Sequence, residues 1–114
     1  EGDFKRNYIH IRDVARVFLH GIKKFDEMKG ESYNVGLSDA NISKIELCKK
    51  IKLQIPEFVF IESSIGVDPD KRDYIVSNKK IEKTGFKPKY TLEDGIEELI
   101  KCYKIIKSKE YKNF

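Results

Sequence analysis

Polar and apolar positions alternate in Tyr8-Ile9-His10-Ile11 and then change period. The short strand-like run leads into Asp13, after which Val14, Val17, Phe18, Ile22 and Phe25 recur at three- and four-residue steps. That spacing predicts one amphipathic helix with its apolar stripe turned to a core. Asp13 is the expected N-cap, because its carboxylate can accept from the free N–H groups of the first turn. Gly30 ends the connection. Residues 32–35 read as a short strand broken by Gly36, and 37–41 as loop. Ser43 with Glu46 three positions on forms a capping box, so a second helix follows with Leu47, Cys48 and Ile51 on its inner face, stopped near Pro56.

The second half repeats this grammar. Phe58-Val59-Phe60-Ile61 is a continuous apolar run of strand length, as expected of a strand covered on both faces. A charged loop, 68–73, separates it from a small strand, Tyr74-Ile75-Val76. Ser77 is read as the cap of a short helix through Ile81, which Gly85 closes in the left-handed position, with Phe86 packing back and Pro88 blocking continuation. Thr91 and Asp94 cap a last helix whose stripe is Leu92, Ile96, Leu99, Ile100, Tyr103 and Ile106. The tail, 107–114, is expected to fray. The order is strand, helix, strand, helix, strand, strand, short helix, long helix, without internal repeat. The fold class expected is α/β, a small lobe of short strands and about four helices.

Bulk composition narrows the partners. The 114 residues are 39% hydrophobic and 37% charged, with 23 basic and 19 acidic side chains and a formal net charge of +4. The two signs interleave, so pairs such as Lys49-Lys50 and Lys79-Lys80 read as solvated helix faces, and nucleic acid is not an expected partner. No run reaches the about 18 apolar residues that cross a bilayer, and Glu1-Gly2-Asp3 does not resemble a signal peptide's basic head. The expectation is a cytoplasmic protein with no membrane partner. Cys48 and Cys102 lack a second ligand at metal spacing and are expected to be buried free thiols in a reducing compartment.

Three constellations offer chemistry: Arg6 with Tyr8, Lys71-Arg72 in the charged loop, and the pair His10 and His20. An arginine presents a fixed fork of donors that matches phosphate oxygens two at a time, so two arginines from distant segments could clamp a diphosphate. On spacing alone each reads more often as a surface ion-pair partner. The histidines sit in different elements without ligand spacing, and no Gly-x-Ser-x-Gly elbow is present. No glycine-rich loop of the Gly-x-Gly-x-x-Gly type follows a strand. Tyr103 with Lys107 fits a Tyr-x-x-x-Lys spacing formally, yet Tyr103 lies on the packed stripe and is expected in the core.

Together these residues carry a resemblance. Arg6-Asn7-Tyr8-Ile9-His10-Ile11-Arg12-Asp13-Val14-Ala15 resembles the Arg-Asp-Tyr-Ile-His-Val-x-Asp-Val-Ala signature of extended short-chain dehydrogenase/reductases, the NAD-dependent nucleotide-sugar epimerases and dehydratases. Tyr33-Asn34-Val35-Gly36, Ser43 to Leu47, Lys80 through Gly85-Phe86-Lys87-Pro88, and Thr91 to Ile96 are similar to later family segments in the same order. The likeness runs from about Phe4 to Ile106 and corresponds to the C-terminal third or so of such an enzyme. It implies a substrate-binding lobe that normally docks on an N-terminal Rossmann domain, where the catalytic Tyr-x-x-x-Lys and the NAD(P) loop would lie. No residue of this chain is then expected to be catalytic or to bind cofactor or metal.

The resemblance further implies a nucleotide-diphosphate sugar as ligand, a homodimer of the complete enzyme, and no turnover by this chain alone. Carried over by position, Arg6 contacts the diphosphate, Tyr8 lies in the same segment, and Arg72 supplies the second arginine, with Lys71 as the alternative. The loop lacks the Arg-x-Gly-Asp of many epimerases and looks closer to the Asp-Pro-x-x-Arg of UDP-glucuronate decarboxylases. Asn7 replaces the usual aspartate. A stand-alone sugar-nucleotide-binding or protein-interaction module without catalysis is the reading from another class.

Overall fold

The computed structural model describes residues 2–63, 65–66 and 69–106. Strand β1 (Lys5–Asn7) pairs antiparallel with β2 (Asn41–Ser43), in the register Lys5↔Ser43, Arg6↔Ile42 and Asn7↔Asn41. Helices α1 (Ile11–Lys23) and α2 (Phe25–Met28) lie between the strands, and α3 (Lys44–Gln54) leaves β2 directly. A long irregular stretch then leads to the one-turn α4 (Lys79–Glu82) and to α5 (Leu92–Ile105). The fold is mixed α/β, with a ladder of two strands among the described residues.

The helix ends marked by local chemistry fall where expected. Ser43 accepts from Glu46 N while Glu46 reaches back to Ser43 N, and Thr91 with Asp94 repeats this at α5. Gly85 takes a positive φ of 91°, the left-handed geometry that a Cβ disfavours.

Several strands differ. The first strand ends before Tyr8, whose N–H reaches Ala40 O and whose carbonyl accepts from Leu37 N, so 8–10 continue the edge irregularly. Its partner arises at 41–43, read above as the end of a loop. Residues 32–35 and 58–61 form no strand, and Val59 and Ile61 are exposed. A strand needs a neighbour to pair its N–H and C=O groups, and neither run has one among the described residues. Val76 is instead bridged by one side chain, Asn41, which accepts from Val76 N at 2.8 Å and donates to Val76 O at 3.0 Å.

Helix α1 is turned opposite to its pattern. His10, not Asp13, is the N-cap, its ring accepting from Arg12 N. Asp13, Arg16 and His20, one face at three- and four-residue steps, point inward. The Asp13 carboxylate is fully buried and receives Lys89 N and Tyr90 N, Arg16 bonds both Asp13 and Lys87 O, and the His20 ring meets Thr84 Oγ1 at 2.8 Å. Phe18, Ile22 and Phe25 are correspondingly exposed. Backbone N–H groups at 89–90 capture the carboxylate, and that tether fixes the helix's rotation. Among the described residues Ala40, Ile42, Ile81, Phe86 and Ile96 are the buried hydrophobic ones.

Smaller corrections follow. Asn78, not Ser77, precedes α4, and its side chain makes no capping bond. Tyr103 is exposed rather than core, on the outer side of α5. Cys48 is half-buried and Cys102 exposed, both free, because each helix has one side uncovered. The tail 107–114 and Asp68 lie outside the described residues. Among the described residues no helix is long and apolar enough to cross a membrane, and no group of histidine, cysteine and carboxylates is placed to hold a metal ion.

Candidate functional site

Strand β1 delivers Arg6 to the charged loop. Pairing to β2 and the bond from Lys5 N to Asp73 Oδ1, 2.8 Å, bring that loop alongside the strand, and Tyr74 N adds a long contact to Lys5 O. The two arginines predicted from separate motifs therefore meet. Arg6 Nη1 donates to Lys5 O and Arg72 O, and Arg6 Nη2 to Asp70 O at 3.2 Å. Its guanidinium carbon stands 5.3 Å from the centre of the Tyr74 ring, a cation–π arrangement.

Between the arginines lies Asp70. Its Oδ2 is 3.1 Å from Arg6 Nη2, and its two oxygens take Arg72 Nε at 2.7 Å and Nη2 at 2.8 Å in a two-bond fork. The Arg72 side-chain bonds, and next to them the opposing loss of solvent, leave the Asp70 carboxyl well below its ordinary range. Asp70 in turn holds the Arg72 guanidinium firmly charged. The burial of the two cations differs: the Arg6 side chain is 11% exposed and that of Arg72 is 72% exposed. Arg6 is an anchored charge, whereas Arg72 is largely open to solvent.

Tyr8 completes the predicted set. Burial raises its phenol pKa, and the nearby Arg6 and Lys44 charges pull the other way without reversing the shift. It stays a neutral hydroxyl able to donate or accept. Tyr8 also lines an apolar cavity of about 560 Å³ between the 8–11 segment, α3 and α5, with Leu47, Ile51, Ile96 and Leu99 among its walls. The arrangement is a fixed cationic corner beside an apolar trough, suited to a ligand with an anionic and an apolar part.

The histidines do not meet each other or the arginines, although His10 lines the cavity. His10 Nε2 is 3.1 Å from Glu98, its ring is stacked on Tyr90 at 4.6 Å, and its Nδ1 caps α1. His20 serves the packing of α1. Lys71 is exposed, whereas Arg72 reaches Asp70, the carboxylate it shares with Arg6. Reasoning from motifs missed Asp70, Tyr74 and Lys44. The signal for Asp70 was present, since an aspartate two residues before an arginine can close a local fork; nothing local places Tyr74 near Arg6 or Lys44 near Tyr8.

Among the described residues the implied nicotinamide cofactor finds no fitting set. β1 passes into α1 through Tyr8-Ile9-His10 and β2 runs straight into α3, so neither junction supplies the glycine turn and free helix N-terminus that a pyrophosphate needs.

No family model matches the chain. It is similar to the dTDP-D-glucose 4,6-dehydratase of Mus musculus, 29% identical over 107 residues that take in 88% of this chain and 29% of the relative. The Bos taurus protein of the same name is also 29% identical over 107 residues, covering 87% of the chain and 29% of that protein. The chain thus spans less than a third of the length of these curated relatives. The likeness is to enzymes that process sugar nucleotides, at that coarse level.

Proposed function

We propose that this chain is the part of a larger NAD(P)-dependent nucleotide-sugar dehydratase or epimerase that grips the diphosphate of its substrate. The observation that carries the reading is the meeting of Arg6 and Arg72, distant in sequence, at one corner beside the neutral Tyr8 hydroxyl. Arg72, largely open to solvent, can turn its guanidinium to phosphate oxygens, Arg6 adds a fixed positive charge, and the trough next to Tyr8 takes an apolar face of the ligand. The likeness to dehydratases of dTDP-D-glucose supports this substrate class.

Grip and orientation are the contributions such a site makes to a reaction performed elsewhere. NAD(P) would bind outside this chain, in a Rossmann domain that covers apolar surface such as Phe18 and Ile22, and no chemical step is assigned to these residues. Free cysteines, exposed or half-buried, suit a reducing cytoplasm.

Calorimetric titration of the chain with dTDP-D-glucose tests the reading. Binding is expected to weaken about tenfold in Arg72→Gln, the value of one charge-assisted contact, and to fall as salt rises. Equal affinity in the variant, or no binding by the folded chain, overturns it. Added NAD is expected to give no turnover, and turnover would contradict the division of labour.

A further inference from the structure

We propose that Asp70 is a built-in stand-in for the ligand, a carboxylate that closes the Arg72 fork until a diphosphate displaces it. The inference rests on the diphosphate reading above and adds how that site is regulated. Asp70 meets Arg72 in the two-bond geometry that a phosphate would use, Nε to Oδ1 at 2.7 Å and Nη2 to Oδ2 at 2.8 Å. Both of those donors are therefore taken. The same carboxylate reaches Arg6 Nη2 at 3.1 Å, so one anionic group already bridges the two cations.

The exchange requires little movement. Asp70 and Arg72 are two residues apart, and Arg72 N also donates to Asp70 Oδ1 at 3.2 Å, a local turn that a side-chain rotation opens. Arg72 is 72% exposed and the Asp70 side chain 35% exposed, so the fork can be approached from solvent without unfolding the loop. Arg6, tied to three backbone carbonyls, stays in place while Arg72 changes partner. Charge favours the exchange once the ligand arrives. One carboxylate charge is replaced by a group that carries two or more, whereas without ligand the arginine pair is never left bare. An anion too weakly charged to compete with Asp70 is excluded, which makes the latch a filter for diphosphates over single carboxylates.

Isothermal titration with inorganic pyrophosphate at low salt tests this on the 114-residue chain. Asp70→Asn is expected to bind about fivefold more tightly than the native sequence, near the ceiling for an exposed ion pair. Asp70→Ser, which removes the carboxylate by a different side chain, should match it. Asp3→Asn removes the same formal charge from an exposed position just ahead of β1 without touching Arg72 or the loop and should leave affinity unchanged. Adding Arg72→Gln to Asp70→Asn should erase the gain.

Equal or weaker binding by both Asp70 variants overturns the latch, weaker binding showing that Asp70 positions the arginines instead. An equal gain in Asp3→Asn also overturns it, because bulk charge would then be the cause. If circular dichroism shows every chain folded and none binds pyrophosphate, the diphosphate reading falls and takes the latch with it. If the native chain binds and the Asp70 variants match it, the latch alone falls.

Discussion

The Asp13 carboxylate accepts Lys89 N at 2.9 Å and Tyr90 N at 3.0 Å, and Arg16 closes on it from the same helix. Burial opposes its charge, yet the N–H groups of Tyr90 and Lys89, with Arg16, together hold its pKa below the ordinary value. Asp13→Asn keeps the shape but turns an amide NH2 toward those backbone donors. It is expected to cost about 2 kcal/mol in urea unfolding, the range for hydrogen bonds to a charged group. A folded-state pKa below the unfolded one contributes stability above the unfolded value, about 3.9, that is lost as pH falls through the folded value. The native chain should therefore lose stability steeply below about pH 4, and Asp13→Asn should flatten that slope. Gly36 illustrates a different constraint: a Cβ there would overlap Asn7 Oδ1, and the Asn7 amide is committed to Leu37 O at 2.8 Å. That bond also gives the Asn7 amide a role that an aspartate, lacking the N–H, could not fill.

At the scale of elements, α3 and α5 were legible because their start signals are local. Ser43 with Glu46, and Thr91 with Asp94, each satisfy their own helix's orphan donors and need nothing distant. Ser43→Ala is expected to cost about 1 kcal/mol in a thermal melt, with loss of α3 signal first. The bonds from Ser43 and Thr91 hold Glu46 and Asp94 below their usual pKa, so both caps weaken together on acidification. Strands were less legible for the converse reason. Tyr33 to Val35 and Phe58 to Ile61 have strand composition, but pairing depends on a second segment that composition does not name. The candidate site divides in the same way. Arg6, Tyr8 and Arg72 stood in readable motifs, whereas the Asp70 bridge and the Tyr74 ring become visible only when β1 and the loop are brought together.

The whole molecule is decided by which side of α1 faces in. Its polar face is occupied by the 84–90 segment, and its apolar face carries Phe18 at 71% and Ile22 at 73% exposure, with Leu99 and Tyr103 exposed on α5. Water-facing apolar side chains of that size favour association. Sedimentation velocity over a range of concentrations should show the native chain self-associating. The double variant Phe18→Lys, Ile22→Glu should shift it toward monomer while leaving helical circular dichroism and pyrophosphate binding unchanged, since neither residue touches the arginine corner. A fall in stability instead would mean that the apolar face packs inward and that the Asp13 tether does not set the rotation of α1. The two measurements thus separate the polar anchor from hydrophobic burial as the force that orients this helix. They do so through residues distant from Arg6 and Arg72, so the result bears on the architecture independently of the ligand.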